Sequence, residues 1–212
     1  MENELNVNPW LKIWTSPRET IRAIIQYNPS YRLILLYWVY GFPLLLQMAQ
    51  NFSLGERASL MGIFGGALVL AMLVGAVGIN LGSALFYWTG KWIGGVGSYR
   101  EVRAAVAWSS VPSIVNSGLW LILLGVFKGY LFTHQFLAAQ FVGVQMAVIF
   151  VATVMQLALA IWGFVILLQT IGEAQRFSAW KALLNVLLPI IVVFIGFRFI
   201  TWLFLLFTGT MH

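Results

Sequence analysis

The chain has 212 residues, of which 61% are hydrophobic and 8% are charged, and its formal net charge is +6. Soluble domains carry about 25% charged residues, so this composition excludes a soluble globular protein and predicts a surface that is mostly covered by lipid. Cysteine and aspartate are absent, which excludes disulfides, thiolate metal sites and a catalytic aspartate. We therefore expect no cofactor, no metal site and no enzymatic activity.

Two short helices are predicted in the N-terminal segment, residues 1–31, ahead of the first long apolar run. Asn8 and Ser16 each precede a proline, which is the arrangement of an N-cap followed by proline at the first helical position. Ser16 and Glu19 also have the spacing of a capping box, in which the hydroxyl and the carboxylate each accept a backbone N–H. The second helix should end at Asn28.

Each of these short helices is predicted to have one apolar face. Trp10 and Trp14 share a face of the first helix, and isoleucines share a face of the second. Amphipathic helices of this kind lie in the membrane interface, so both tryptophans are candidate contacts for lipid headgroups. A docking site for a protein partner is the alternative interpretation.

Five apolar runs follow, and each is a candidate for a membrane span, which needs roughly 20 mainly apolar residues. They cover residues 33–48, 60–88, 104–127, 136–171 and 182–207. The predicted fold is all-α: one domain, 1–212, in which residues 32–212 form a bundle of five transmembrane helices. The fourth run is too long for one straight span, so its first turns could lie in the interface, or the helix could tilt.

The distribution of cations predicts the orientation of the bundle, because lysine and arginine concentrate in cytoplasmic loops. Nine of the 12 cations fall on the same side as the N-terminus, namely Lys12, Arg18, Arg22, Arg32, Lys91, Arg100, Arg103, Arg176 and Lys181. The N-terminus is therefore predicted to be cytoplasmic and the C-terminus outside, with the bundle in the cytoplasmic membrane. Anionic lipid headgroups match this positive charge. Nucleic acid is not an expected partner, because no basic surface large enough for a duplex lies outside the lipid.

A stripe of small residues runs along the second apolar run. Its members are Ala71, Gly75, Gly78 and Gly82, with Gly62 and Gly66 earlier on the same run. Small residues let helix backbones approach closely. The stripe could therefore pack inside the monomer or form the contact of a homo-oligomer.

The connection between the second and third runs, residues 89–103, carries glycines followed by Ser98 and Glu101 at capping-box spacing. The glycines allow a tight turn; a loop that cradles a phosphate at the helix start is the alternative. Arg100 and Arg103 follow in the first turns of this helix. Both are candidate contacts for headgroups or for a partner.

Polar side chains inside the membrane are candidates for function, because their exposure to lipid is costly. The candidates are Arg198 in the fifth run, Asn116 in the third, Asn80 in the second and Gln156 in the fourth. Such groups can hold helices together by hydrogen bonds, or they can line a polar path. Arg198 could instead extend its head to the outer headgroups.

Two segments, NPWLKIWTSPRETIRAII (8–25) and GGVGSYREVRAAVAWSSVP (94–112), together with five spans, resemble the Yip1 family in its bacterial branch. The resemblance implies a five-span helical membrane protein with a cytoplasmic N-terminal segment. Eukaryotic members act in vesicle trafficking with prenylated Rab-type GTPases. We do not expect that partner here, because this segment lacks their long polar region.

Two hypotheses about function follow. The leading one is a non-enzymatic Yip1-like integral membrane protein that organises the membrane or recruits to it through the N-terminal helices and the connection 89–103. The alternative is a small transporter or channel subunit, or a lipid-binding or lipid-moving protein, that uses the intramembrane polar residues. Membrane lipids are the expected partners, and no protein partner can be named.

Overall fold

The computed structural model describes residues 8–208, and the side chains of all of these except Leu137, Val193 and residues 203–208. Its α-helices are α1 (Pro9–Lys12), α2 (Pro17–Tyr27), α3 (Leu33–Asn51), α4 (Leu60–Trp92), α5 (Tyr99–Ser109), α6 (Ser113–Phe127), α7 (His134–Ala138), α8 (Gly143–Ala174) and α9 (Ala179–Thr208). Short 3-10 helices lie at Leu54–Glu56 and Lys128–Phe132. Residues 1–7 of the predicted N-terminal segment and the C-terminal residues 209–212 lie outside the described range.

Five helical stretches are long and apolar enough to cross a membrane: Leu33–Asn51, Leu60–Trp92, Tyr99–Phe132, Gly143–Ala174 and Ala179–Trp202. The residues that the structure describes contain no strand. The predictions of an all-α fold and of five spans are therefore confirmed. The orientation of the bundle relative to the cytoplasm stays a prediction.

The third span, predicted as one apolar run over residues 104–127, consists of two helices. α5 ends at Ser109 and α6 begins at Ser113. Pro112 has no N–H to donate and its ring disfavours a continuous helix. The hydroxyls of Ser109 and Ser110 donate to the carbonyls of Val106 and Ala107, at 2.7 and 2.6 Å. These local bonds satisfy carbonyls of the last turn of α5 at the break.

The fourth run also divides, which explains its excess length. α7 takes the first residues, an extended connection follows, and α8 begins at Gly143 with a φ of 59°. Glycine adopts this left-handed conformation without the strain of a Cβ. The long run is therefore one short helix outside the span and one spanning helix.

α3 and α4 pack backbone against backbone. A methyl group on Gly75 would lie 1.8 Å from the carbonyl oxygen of Tyr37, and one on Gly41 would lie 1.9 Å from that of Ala71. The ring of Tyr40 covers Gly78, where a methyl group would lie 2.8 Å from the ring edge. This part of the small-residue stripe thus packs inside the monomer, so a second copy cannot use it.

Buried apolar side chains form two clusters, one towards each end of the bundle. The first core joins α1 and α2 to the bundle and includes Ile13, Ile21, Ile24, Leu36 and Trp108, all 0% exposed. The second core lies towards the other end and includes Leu46, Trp120 and Phe132. At that other end, Glu56 accepts the backbone N–H of His134 at 3.2 Å.

The end of the bundle that carries the first core is called the basic end below. α1, α2, the start of α3, the end of α4, the start of α5 and the connection between α8 and α9 meet there. Seven of the nine cations of the predicted cytoplasmic set belong to these pieces of chain, and the other two adjoin them: Arg32 is the N-cap of α3, and Lys181 lies in the first turn of α9.

All three predicted N-cap residues, Asn8, Ser16 and Ser98, stand at helix starts, and two of them make the predicted capping bonds. Asn8 accepts the Trp10 N–H at 3.1 Å, and both bonds of the capping box between Ser98 and Glu101 form, at 3.3 and 2.6 Å. The Ser16 capping box is wrong: the Ser16 side chain makes no capping bond. Glu19 instead pairs with Lys12 at 3.1 Å, because α1 folds back beside the start of α2.

Candidate functional site

The glycine loop between α4 and α5 closes over the side chain of Gln175, which is 1% exposed. A methyl group on Gly95 would lie 2.4 Å from Gln175 Oε1, and one on Gly97 would lie 2.3 Å from the carbonyl oxygen of Ala174. The backbone N–H of Val96 donates to the carbonyl of Gln175 at 3.4 Å. The glycines therefore allow the loop to contact the end of α8. The Gln175 side chain fills the inside of the loop, which is where a phosphate would lie in the alternative interpretation of the sequence.

A buried hydrogen-bond network ties α4, α8 and α9 together beside this loop. The Thr89 hydroxyl donates to Asn185 Oδ1 at 2.7 Å, and Asn185 is 0% exposed. Gln175 Nε2 donates to the carbonyl of Phe86 at 3.3 Å. Buried polar groups are costly unless they are bonded, so these contacts fix the relative positions of the three helices.

The N-terminal helices pack on the bundle. The Trp10 ring lies 4.8 Å from the buried Trp108 ring, and Tyr31 stacks on Trp108 at 6.2 Å. Trp14 is partly buried against the same first core. The structure thus places both predicted headgroup contacts against protein, because Trp108 on α5 offers the N-terminal helices an apolar partner that the sequence pattern alone cannot reveal.

Two arginines hold this arrangement by polar contacts. Arg22 Nε donates to Glu173 Oε1 at 2.6 Å, which joins α2 to α8. This hydrogen bond and the charge of Glu173 raise the pKa of Arg22 above its ordinary value. Arg103 donates to the Ser30 hydroxyl at 3.2 Å and lies over the Tyr99 ring at 5.7 Å. Arg103 was predicted to contact headgroups or a partner. It instead holds the connection between α2 and α3 by its hydrogen bond to Ser30.

Exposed cations and exposed tryptophans surround the basic end. Arg100, a predicted contact, is exposed, and so is Lys91. Trp88, Trp92 and Trp180 are 59%, 67% and 81% exposed. Tryptophan is enriched where a membrane meets water, so these three rings indicate the level of the headgroups better than Trp10 and Trp14 do.

Asn80 lies at the centre of a small network inside the bundle. Its Nδ2 donates to the Tyr37 hydroxyl at 2.9 Å, and its Oδ1 accepts the Tyr99 hydroxyl at 2.8 Å. The side chain also donates to the Ala76 carbonyl at 2.8 Å. Asn80 thus joins α3, α4 and α5, which is the helix-joining role that the sequence left open.

Asn116 and Gln156 meet inside the membrane. Gln156 Nε2 donates to Asn116 Oδ1 at 3.2 Å, across α8 and α6. Both side chains line a cavity of about 390 Å³ between α4, the break in the third span and α8. Cavities of this size are typical of small-molecule sites.

The model of the Yip1 domain family matches residues 11–200. This chain belongs to the Yip1 domain family. No curated protein and no solved structure matches it. The family and the five apolar helices together make the chain a multi-pass membrane protein.

Arg198 stands apart from the other polar residues of this Yip1 domain. It is exposed on α9, and no ion pair joins it to another residue whose side chain is described. The packing of α9 against α4 and α8 involves its first turns, where Asn185 and Val186 are buried. The structure therefore brings together two of the four intramembrane candidates and places Asn80 in a separate network.

Sequence reasoning about the Yip1 domain missed Gln175, Thr89, Asn185 and Trp108. The first three are single polar residues at ends of apolar runs, where polar residues are expected for solubility alone. Only the packing shows that they are buried. A tryptophan one turn before a proline break could have signalled Trp108, but its partners come from α1 and the α2–α3 connection, which are distant in sequence.

Proposed function

We propose that this Yip1 domain protein is a non-enzymatic membrane protein. Through its basic end it organises anionic lipid and recruits other molecules to the membrane. The observation that carries the proposal is the rim of exposed cations, including Arg32, Lys91 and Arg100, beside the exposed tryptophans. The proposal places this end on the cytoplasmic side of a bacterial inner membrane, where anionic headgroups and cationic loops meet.

The charge at the basic end favours anions strongly. Of the acidic residues described there, Glu19 pairs with Lys12, Glu173 pairs with Arg22, and Glu101 caps α5. Their carboxylates are thus engaged within the chain, while Lys91 and Arg100 remain exposed. Each exposed cation near an anionic surface contributes about 1 kcal/mol, or roughly a fivefold preference.

A matched pair of variants tests this proposal. Lys91→Gln with Arg100→Gln removes one lysine and one arginine from the basic end, and Arg57→Gln with Lys128→Gln removes the same charges from the other end. All four side chains are exposed. The measurement is the amount of phosphatidylglycerol that each purified protein retains from mixed vesicles of phosphatidylglycerol and phosphatidylcholine, by native mass spectrometry.

We expect the first pair to lose phosphatidylglycerol by roughly tenfold or more, since each cation contributes about fivefold, and the second pair to lose less, because the other end, as far as the structure describes it, has no rim of cations to concentrate anionic headgroups. High salt should reduce the wild-type retention, because exposed charges are screened. Equal losses in both pairs, or no loss in either, would contradict the role of the basic end.

A further inference from the structure

The intramembrane cavity is lined by both polar and apolar groups. Asn116, Gln156 and Ser113 contribute polar groups from α6 and α8, and Tyr40, Phe86 and Leu159 contribute rings and aliphatic carbon. The break in the third span opens onto this space at Ser109 and Pro112. Irregular backbone at membrane depth is tolerated where it is buried in protein or lines a cavity.

The amide pair that lines the cavity leaves part of its hydrogen-bonding capacity unused. Gln156 Nε2 and Asn116 Oδ1 bond to each other. Asn116 Nδ2 and Gln156 Oε1 make no hydrogen bond with any residue that the structure describes. Hydrocarbon offers no partner for such groups. A ligand hydroxyl can bond to both groups, because its oxygen accepts from Asn116 Nδ2 and its hydrogen is donated to Gln156 Oε1.

The cavity is electrically neutral. Within the described part of the chain, no Asp, Glu, Lys, Arg or His lines it. A phosphate or carboxylate would lose its hydration without gaining a counter-charge, which is costly inside a membrane. The lining therefore favours an uncharged headgroup over the anionic headgroups that suit the basic end.

An apolar groove adjoins the cavity. It has a volume of about 560 Å³ and lies between α4 and α9, with Leu85, Val186, Pro189 and Phe194 along its length. Phe86 lines both the groove and the cavity. An alkyl chain that leaves a headgroup at Asn116 and Gln156 would thus run along the cavity and pass Phe86 to enter the groove.

We propose that this site binds one lipid with an uncharged hydroxyl headgroup, of which diacylglycerol is the test case. The hydroxyl lies between Asn116 Nδ2 and Gln156 Oε1, and an acyl chain passes Phe86 into the groove between α4 and α9. The basic end takes no part in this binding, so the proposal stands whether or not the basic end organises anionic lipid.

The test uses the full-length protein in phosphatidylcholine vesicles with trace amounts of photoactivatable probes. The probes are a diacylglycerol with a diazirine in its acyl chain, the methyl ether of its hydroxyl, and the matching phosphatidylglycerol. Labelled peptides are located by mass spectrometry. We expect the alcohol to label the peptides of α4 around Phe86 and of α9 around Pro189, about threefold to tenfold more than the ether does, as one lost hydrogen bond predicts.

Two glycines on α4 provide a matched pair of variants. A methyl group on either Gly82 or Gly66 meets no atom within 4 Å, but Gly82 lines the cavity and Gly66 does not. Gly82→Leu should fill the cavity and abolish this labelling, while Gly66→Leu should leave it intact. Asn116→Leu with Gln156→Leu should remove the preference for the alcohol over the ether.

Three results would overturn the proposal: equal labelling by alcohol and ether in the wild type, equal labelling of Gly82→Leu and Gly66→Leu, or labelling of the same peptides by phosphatidylglycerol as strongly as by the alcohol. The comparison of alcohol with ether needs no variant, so it decides the question even if Gly82→Leu fails to fold.

Discussion

The contact between α3 and α4 makes Gly75→Ala the sharpest perturbation of the fold. The new methyl group would lie 1.8 Å from the carbonyl oxygen of Tyr37, 2.6 Å from its carbonyl carbon and 3.0 Å from its Cα. To restore a contact of about 3.5 Å, the two helices would have to separate by roughly 1.5 Å. A backbone atom cannot rotate away as a side chain can, so the strain spreads along α3.

Overpacking of this kind costs about 1–3 kcal/mol and sometimes more, while alanine favours a helix over glycine by up to about 1 kcal/mol. Gly66→Ala, on the same helix, provides the control, because its methyl group meets no atom within 4 Å. It should gain the helix preference without the clash. We therefore expect the unfolding midpoint of Gly75→Ala to lie about 5–10 °C below that of Gly66→Ala.

The assay is thermal unfolding of the purified variants in one detergent, followed by the loss of helical circular dichroism. If Gly75→Ala unfolds at the same temperature as Gly66→Ala, the close approach of α3 and α4 is refuted. The stripe would then be free for another role, including the homo-oligomer contact that the sequence left open.

Two further variants test the packing at the basic end. Trp108→Ala should release α1 and α2 and speed tryptic cleavage of the N-terminal segment, since loss of a buried tryptophan costs about 3–5 kcal/mol. Trp180→Ala, at an 81% exposed position, should cleave like the wild type; equal rates in both variants would contradict the docking. Thr89→Val should destabilise the protein by about 1–3 kcal/mol, because it removes the hydroxyl that donates to the buried Asn185 Oδ1, whereas Thr153→Val, at an exposed position of α8, should be neutral in the same unfolding assay.

The intramembrane polar residues of the candidate site could be predicted from the sequence, but their contacts could not. Asn116 and Gln156 are polar residues within apolar runs, and the cost of exposing them to lipid identifies them without any structure. Their mutual contact, and the separation of Arg198 from them, depend on how α6, α8 and α9 pack. The third span shows the same limit: Pro112 is visible in the sequence, yet neighbouring hydroxyls and helices decide whether a proline bends a helix or breaks it.

The sequence by itself determined the class of this protein, the five spans and the concentration of cations at one end. The class and the spans follow from composition and from runs of about 20 apolar residues. The hydrocarbon thickness sets the length of each run, so each span can be recognised from its own stretch of sequence. Only the tertiary structure decided that Trp10 faces Trp108, that Gln175 fills the glycine loop, and that an amide pair lines a cavity which shares Phe86 with an apolar groove. Lipid solvates every apolar helix face equally well, so the choice of neighbours rests on close packing and hydrogen bonds between distant residues.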